Sequence, residues 1–344
     1  MTAAATQAAR LGIVSLGGTI LGRRSPGGGY EPAVSIGEFV DGLGPGLAES
    51  LDLIDWTSAP SADLRIEDIV GVSEVARRCA ADGAAGVIVL CGTDTLEEVA
   101  FGLDMLWDRD EPIVVTGALR PPDALGADGQ ANVAAAIAVA TSPSAAGRGC
   151  LVVLNDEVHA ARHVRKSHPS SLAAFASHPV GPIGGLSEGR VRFYADACRA
   201  PAISLPERAV PAPVALLQFA IGDDARLVDA VEAAGYRGLV IQGSGGGSVS
   251  AAWAEALGRL AQRMPVVYAS RTGAGPVLES TYGGPGGEID LVRRGIRPAG
   301  VLDGLKARVL LSLLLATDSA DVLADFDLIA DVERHRTTTD GDRA

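Results

Sequence analysis

The segment VIVLCGTDTLEE at residues 87–98 constrains the fold of this chain more than any other stretch of its sequence. It opens on four consecutive apolar residues, Val87–Leu90, which predict a strand buried within a sheet. Thr95 and Glu98 then have the spacing of a capping box, so a helix is expected to begin at once. A buried strand that leads directly into a helix is typical of a parallel α/β sheet.

Thr93 and Asp94 lie between this strand and this helix, at the carboxyl end of the strand. Open α/β sheets bind their ligands in the crevice outside the carboxyl ends of the strands, so a hydroxyl beside a carboxylate there indicates chemistry. A plain Asx-type turn that only caps the helix is an equally good interpretation of this stretch taken alone. The rest of the chain has to decide between the two.

A second segment, near the start of the chain, repeats this pattern. Residues 11–16 predict a strand, and two glycines follow it that allow a tight turn and the close approach of a ligand. Thr19 then stands at the end of a strand, as Thr93 does. The next residues, RRSPGGGYEP, include Tyr30 and predict a flexible lid, with an ordinary surface turn as the alternative.

Strands and helices alternate along the chain, which predicts a larger, mostly parallel open sheet with flanking helices and a smaller C-terminal α/β domain. The length of 344 residues suits two domains, and four prolines between residues 201 and 213 indicate a linker. The expected organisation is a flexible N-terminus at residues 1–10, an N-terminal α/β domain with most of the functional site at 11–195, a linker at 196–213, a C-terminal α/β domain at 214–330 and a flexible tail at 331–344.

The balance of charge argues against some classes of partner. Acidic residues outnumber basic ones by 42 to 29, and the resulting net charge of −13 disfavours nucleic acid and anionic membranes. No apolar run approaches the roughly 18 residues of a membrane-spanning helix, and the N-terminus makes a poor secretory signal. The four cysteines form no CxxC pair and suit buried thiols in a reducing compartment. We therefore expect a cytoplasmic protein.

Two other motifs are incomplete, and a third is absent. The glycine run at residues 243–248 follows a predicted strand but does not fit G-x-G-x-x-G, so nucleotide binding is not expected. His159 and His163 have the spacing of two metal ligands on one helix, but no third ligand pattern lies nearby, and no metal site is expected. The chain also lacks the G-x-S-x-G motif of serine hydrolases.

The use of lysine singles out a candidate for proton transfer. Lys166 and Lys306 are the only two lysines among 29 lysine and arginine side chains. Lysine can lose its proton and arginine cannot, so a lysine in such a chain is a candidate base, with chance retention as the alternative. Threonine needs a neighbouring base to act as a nucleophile, and a neutral Lys166 would supply one. Asp94, near a helix N-terminus, should stay ionised and suits a substrate ammonium group.

Taken together and in order, the motifs resemble those of the bacterial-type L-asparaginases and their glutaminase-asparaginase relatives. The first signature is G-G-T-I at residues 17–20, and the second is H-G-T-D-T at residues 91–95, with Cys91 in place of the histidine. Further matches run through nearly the whole chain: G-A-x-R-P at 117–121, A-D-G-x-x-N at 127–132, N-D at 155–156, R-x-V-x-K at 162–166 and K-A-R-V-L-L at 306–311.

The resemblance implies an activity and a set of residues that perform it. The implied reaction is hydrolysis of the side-chain amide of L-asparagine to L-aspartate and ammonia, with no metal or organic cofactor. The implied assembly is an intimate dimer, commonly paired into a homotetramer. The implied catalytic residues are Thr19 as the nucleophile, Tyr30 on the lid, and Thr93, Asp94 and Lys166, which move protons. Substrate binding is implied for Ser61, Thr93, Asp94 and, from the neighbouring subunit, Glu279, with Glu288 as the alternative.

Two departures from the family pattern concern affinity for the substrate. Ala62 follows the substrate-binding serine where well-studied members have glutamine, and Gly246 stands where members have a polar side chain. A buried polar group left without a partner costs about 1–3 kcal/mol, a factor of about ten to a hundred in binding. The sequence therefore predicts a high KM for asparagine.

Other functions remain open on the sequence alone. The same fold serves as the asparaginase-like subunit of a tRNA-dependent amidotransferase, but only about ten residues precede the first predicted strand, where that subunit would have an extra domain. A non-catalytic amino-acid sensor is a further alternative, although it would not need Thr19 and Lys166. A preference for glutamine or another amide is also open.

Overall fold

The computed structural model describes residues 9–44 and 48–331. The chain forms two compact units, of which the first ends at Arg199 and the second begins at Ala200. This boundary lies within the predicted linker at residues 196–213, which contains no helix or strand, while the domain limits given above stay a prediction. Of the termini predicted to be flexible, only residues 9, 10 and 331 are among those described.

The first unit contains a large sheet, two short hairpins and four α-helices among its described residues. Its strands are β1 (Leu11–Ser15), β2 (Gly22–Arg24), β3 (Tyr30–Pro32), β4 (Leu51–Asp55), β5 (Gly86–Leu90), β6 (Ile113–Thr116), β7 (Cys150–Leu154), β8 (Glu157–Ala160), β9 (Arg165–Lys166), β10 (Phe175–Ala176), β11 (Gly184–Ser187) and β12 (Arg190–Phe193). Its helices are α1 (Ile36–Asp41), α2 (Ile66–Ala81), α3 (Leu96–Leu106) and α4 (Gly129–Ala140).

The large sheet has the strand order β12-β11-β8-β7-β6-β5-β1-β4. Strands β4, β1, β5, β6 and β7 are parallel to their neighbours in this series, and β8, β11 and β12 continue the sheet as an antiparallel extension. The connection that leaves β1 leads to β4 on one side, whereas the connection that leaves β5 leads to β6 on the other. The adjacent ends of β1 and β5 therefore flank a topological switch point, where sheets of this kind bind ligands.

Both faces of the sheet are covered because its central strands are apolar on both sides. Ile88 and Leu90 of β5 join a buried cluster that includes Val133 of α4 and Phe39 of α1. Successive side chains of a strand point to opposite faces, and helix α2 packs on the other face, where a Cβ built on Gly12 would lie 3.0 Å from Cys79. The predicted mostly parallel open sheet with flanking helices is confirmed.

Two segments of the first unit differ from the sequence-based expectation. The sequence predicts a helix over residues 74–82, but helix α2 begins eight residues earlier, at Ile66. Gly71 weakens the helical pattern there, and a Cβ on it would lie 2.3 Å from the ring of Trp56, which occupies that space. The polar segment after β7 forms strands β8, β9 and β10, which the sequence did not indicate. Asn155 and Asp156 join β7 to β8 with φ values of 52° and 60°, as in a two-residue hairpin turn.

The second unit contains a smaller parallel sheet with the order β13-β14-β15-β16. Its core includes the fully buried side chains of Trp253 and Tyr268. Its strands are β13 (Val214–Gln218), β14 (Gly238–Gly243), β15 (Val266–Ser270) and β16 (Arg297–Pro298). Its helices are α5 (Arg226–Ala230), α6 (Ala251–Ala261), α7 (Glu288–Arg293), α8 (Gly304–Leu314) and α9 (Val322–Ala330). In residues 9–44 and 48–331, no helix has the length and apolar character needed to cross a membrane.

Candidate active site

Two glycine turns pack against each other at the carboxyl ends of β1 and β5. Gly18 has a φ of 95°, and a Cβ built on it would lie 2.4 Å from the Cα of Gly92. A Cβ built on Gly92 would lie 2.7 Å from the Cβ of Ser61, so neither position accepts a side chain unless its neighbour moves. This close backbone contact brings the loops that carry Thr19, Thr93 and Ser61 to one end of the sheet.

The hydroxyl of Thr95 secures the Ser61 loop, and this corrects the predicted capping box. Helix α3 begins at Leu96, as expected, but Thr95 makes no side-chain capping bond. Its Oγ1 instead donates a hydrogen bond of 2.9 Å to the carbonyl oxygen of Ser61, a long-range partner that the spacing of Thr95 and Glu98 cannot indicate. Thr95 therefore positions Ser61, whose side chain is 7% exposed.

Lys166 joins the loop after β5 from a distant part of the chain. Its Nζ donates to Thr93 Oγ1 at 2.9 Å and to Asp94 Oδ1 at 2.5 Å. The Lys166 side chain is 12% exposed and that of Asp94 is 75% exposed, so the amine is largely shielded while the carboxylate faces solvent. The Asp94 carboxylate pairs with the Lys166 amine, and the two residues form a charged cluster with Thr93. A turn that served only to cap helix α3 would not account for this cluster.

The predicted lid folds as a hairpin of β2 and β3, in which Arg24 lies opposite Tyr30. The Arg24 guanidinium lies 5.6 Å from the centre of the Tyr30 ring, and its Nη2 is 3.4 Å from the Tyr30 hydroxyl. The backbone N–H of Arg24 donates to Asp123 at 3.1 Å, which ties the hairpin to the loop after β6. Tyr30 is 44% exposed in this arrangement, and Thr19 begins the 3-10 turn that precedes the hairpin.

Asp128 organises the loop after β6, a role that the sequence did not assign. Its two carboxylate oxygens accept hydrogen bonds from the backbone N–H groups of Leu119 and Arg120, at 3.0 and 2.8 Å. A charged acceptor binds backbone donors more strongly than a neutral one does, so this loop is held firmly. The A-D-G-x-x-N motif was the available signal for Asp128.

Asn132 connects the loops that follow β6 and β7. Its Nδ2 donates to the carbonyl oxygen of Gly117 at 2.9 Å, and its Oδ1 accepts from the backbone N–H of Asn155 at 3.0 Å. The side chain is 3% exposed, so these bonds are shielded from water. The G-A-x-R-P, A-D-G-x-x-N and N-D motifs thus meet in one hydrogen-bonded framework beside the site.

Glu279 and Glu288, the two candidates for the carboxylate that a neighbouring subunit would supply, differ in their surroundings. Both lie in the second unit. Glu288 is fully buried, and its Oε1 accepts from the backbone N–H groups of Thr281, at 2.5 Å, and Tyr282. Glu288 therefore holds its own loop together, whereas Glu279 is exposed.

The space at Gly246 is already filled. A Cβ built on Gly246 would lie 2.5 Å from Cγ of Leu278, whose backbone N–H donates to the Gly246 carbonyl at 2.9 Å. The polar side chain that family members carry at this position could enter only if Leu278 moved. Leu278 and Gly246 thus make an apolar contact at this point of the second unit.

The two histidines considered as metal ligands do not lie on a helix, so that interpretation is wrong. His159 lies on β8, where its Nδ1 is 2.9 Å from Ser177 Oγ, and burial lowers its pKa. Within the described ranges, no three His, Cys, Asp or Glu side chains are grouped to hold a metal ion. Cys91, in place of the family's histidine, is fully buried, and burial raises the pKa of its thiol to about 12.

Comparison with known proteins covers both units. The sequence model for the N-terminal asparaginase domain matches residues 10–199, and that for the glutaminase/asparaginase C-terminal domain matches residues 213–322. The chain is 30% identical over 319 residues to an L-asparaginase of Bacillus licheniformis, an alignment that covers 90% of this chain and 96% of that enzyme. It is 35% identical over 317 residues to a probable L-asparaginase of Deinococcus radiodurans, with 89% and 92% covered.

A solved structure agrees with these matches. The crystal structure of a probable cytoplasmic L-asparaginase from Campylobacter jejuni superposes with a TM-score of 0.81 at 28% identity. The superposition covers 92% of this chain and 99% of that one. The loops of Thr19, Thr93 and Lys166 all lie within the range matched by the N-terminal domain model. The two domain models and the relatives together show that the chain belongs to the asparaginase family.

Proposed function

We propose that the protein is an L-asparaginase, an amidohydrolase that converts L-asparagine and water to L-aspartate and ammonia. The observation that carries this proposal is the contact of the Lys166 amine with Thr93 and Asp94 at the switch point between β1 and β5. Thr19 stands on the neighbouring loop, and the packed glycines hold the two loops together. Membership of the asparaginase family supports the choice of substrate.

In the proposed reaction, the hydroxyl oxygen of Thr19 attacks the carbon of the substrate amide. The hydroxyl proton passes to a base, the C–N bond breaks, and the nitrogen leaves as ammonia after it takes up a proton. Water then hydrolyses the resulting ester, which releases aspartate and restores the Thr19 hydroxyl. Tyr30 assists from the lid hairpin, and closure of that hairpin would exclude bulk water from the reacting atoms.

Lys166, Thr93 and Asp94 move the protons in this scheme. Lys166 Nζ is within hydrogen-bond reach of Thr93 Oγ1, the geometry that transfer between a hydroxyl and an amine needs. Asp94 stabilises the amine when it carries the proton, and lysine can later return that proton whereas arginine cannot. The Lys166 side chain is 12% exposed, so its amine is largely shielded from solvent.

Substrate recognition is assigned to groups around this cluster. The exposed Asp94 carboxylate is suited to the α-ammonium group of asparagine, and Ser61, together with Thr93, is suited to the α-carboxylate. Glu279 is proposed to complete the site from the neighbouring subunit of an intimate dimer, because it is exposed where Glu288 is buried. Two such dimers would form the expected homotetramer.

Ammonia release from the purified protein tests the proposal. We expect release from L-asparagine, and Thr19→Ala should reduce the rate by about 100-fold or more because the nucleophile is lost. Thr141→Ala, which removes an exposed hydroxyl at the end of α4, is the matched control and should leave the rate unchanged. Binding of asparagine without ammonia release by the wild-type protein would instead indicate an amino-acid sensor.

The same assay measures affinity and selectivity. Because Ala62 and Gly246 lack the polar groups of family members, we expect a KM for asparagine in the millimolar range, and a micromolar KM would show this expectation wrong. Parallel assays with L-glutamine and D-asparagine rank the substrates.

We propose a cytoplasmic location for the protein, in line with its four cysteines, which form no disulfide. Cell fractionation tests this location.

A further inference from the structure

Glu97 is a buried carboxylate beside the proposed catalytic loop. It is the second residue of α3 and is 5% exposed. Its Oε2 accepts a hydrogen bond from the backbone N–H of Lys166. One side chain therefore connects the helix that directly follows Thr93 and Asp94 with the main chain of the residue whose amine contacts both.

The main chain at Lys166 needs such an anchor because its strand is short. Strand β9 has two residues and pairs with β10 in a two-stranded sheet that is separate from the eight-stranded one. The next amide, that of Ser167, donates to the Ala174 carbonyl at 2.6 Å. Successive amides of a strand point to opposite edges, so the Lys166 N–H faces away from β10 and is accepted by Glu97.

We propose that Glu97 is a positioning residue for Lys166, an inference that rests on the proposed function. Its carboxylate fixes the distance between the Lys166 main chain and the loop of Thr93 and Asp94. Lysine reaches Thr93 through four rotatable bonds, and its amine keeps a defined place only when its main chain is fixed. In this role Glu97 acts through Lys166, because its carboxylate meets the main chain of that residue.

The geometry predicts an effect on turnover more than on substrate binding. A displacement of about 1 Å of a catalytic group can cost about 100-fold in rate, even when the change lies outside the chemistry. Glu97→Ala should therefore lower kcat for asparagine by about 10- to 100-fold and change KM by less than about threefold. Glu97→Gln keeps an oxygen acceptor at the same reach and should keep kcat within about threefold of the wild type.

Glu97→Asp tests whether the length of the side chain matters when its negative charge is kept. It keeps a carboxylate in the first turn of α3, where a helix favours acidic residues, but shortens the side chain by one methylene group. The shortened carboxylate cannot reach the Lys166 amide without a shift of β9, so kcat should fall by about 10-fold or more. This variant also keeps the test decisive if Glu97→Ala does not fold.

Asp104 supplies a matched control on the same helix. It is also 5% exposed, and its Oδ1 accepts a hydrogen bond from the backbone N–H of Cys150 at 2.9 Å. Like Glu97→Ala, Asp104→Ala removes a buried carboxylate that accepts a hydrogen bond from a backbone amide. The amide held by Asp104 belongs to β7, whereas the amide held by Glu97 belongs to β9. We expect Asp104→Ala to lower the thermal stability and to leave kcat per folded molecule unchanged.

The experiment measures kcat and KM for L-asparagine and Tm for the wild type and all four variants. The inference is supported if Glu97→Ala and Glu97→Asp lose kcat at little change in KM while Glu97→Gln and Asp104→Ala keep it. The inference is overturned if the Glu97 variants lose activity only in proportion to their folded fraction, which is the behaviour expected of Asp104→Ala. It is also overturned if Glu97→Asp has the kcat of the wild type. A wild-type protein that releases no ammonia would refute the proposed function first, and with it this inference.

Discussion

At the scale of single residues, the contact between Lys166 and Thr93 carries most of the chemistry. The amine is largely buried, lies 2.9 Å from the hydroxyl, and is paired with a carboxylate that faces solvent. Charge alone does not explain the choice of residue, since nearly every other basic side chain apart from histidine is arginine. What lysine adds is the ability to lose and regain a proton.

Lys166→Arg tests this use of the proton. The substitution keeps the positive charge beside Asp94, but a guanidinium does not deprotonate in a protein. We expect kcat for asparagine to fall by about 100-fold or more, as expected for the loss of a general base. Lys166→Met, which removes the charge as well, should lose a similar factor. Activity close to the wild type in Lys166→Arg would show that the residue acts only as a fixed charge.

At the scale of secondary-structure elements, the site depends on how closely two turns approach each other. The turn after β1 and the turn after β5 meet backbone to backbone, and the Ser61 loop packs on the second of them. The hydrogen bonds of Thr95, Asp128 and Asn132 hold the surrounding loops. These bonds span 9 to 34 residues of sequence, so side chains from outside each turn help to hold the loops. Functional residues commonly lie on loops that a rigid scaffold positions in this way.

Gly92→Ala tests this packing. Its new methyl group would lie 2.7 Å from the Cβ of Ser61 and force that loop away from the site. We expect kcat/KM for asparagine to fall by about 10-fold or more, together with a lower Tm. Gly37→Ala on α1 is the control, because the nearest atom to its new Cβ is 4.0 Å away. Equal activity in both variants would contradict the packing argument.

At the scale of the whole molecule, the proposed assembly makes each site depend on two subunits. The subunit that supplies Thr19 is proposed to take Glu279 from its neighbour. Complementation follows from this sharing: a Thr19→Ala subunit still offers Glu279, and a Glu279→Ala subunit still offers Thr19. Hybrid dimers of the two variants would therefore contain one intact site.

Mixing the two inactive variants tests the shared site. After unfolding and refolding together, random pairing should return about a quarter of the wild-type activity, because half of the dimers are hybrids and each has one intact site. Light scattering on the same samples gives the oligomeric state. Recovery no greater than the sum of the separate variants would show that Glu279 does not complete the site of a neighbouring subunit.

The sequence by itself determined the alternation of strands and helices and the positions of the polar residues at strand ends. These follow from local patterns: buried runs of apolar residues, glycines at turns, and the residues after Thr95, where α3 begins at Leu96 as expected. The sequence also marked Lys166, through the scarcity of lysine, and Thr19 and Thr93, through the repeated motif.

Only the tertiary structure decided which of these residues meet. Lys166 is 73 residues from Thr93 in the chain, and Thr95 is 34 residues from Ser61. No periodicity spans such separations, because the contact depends on how the intervening strands pair and not on local backbone preference. For the same reason the predicted capping box failed, and Glu97, the carboxylate that fixes Lys166, left no mark in its own segment of sequence.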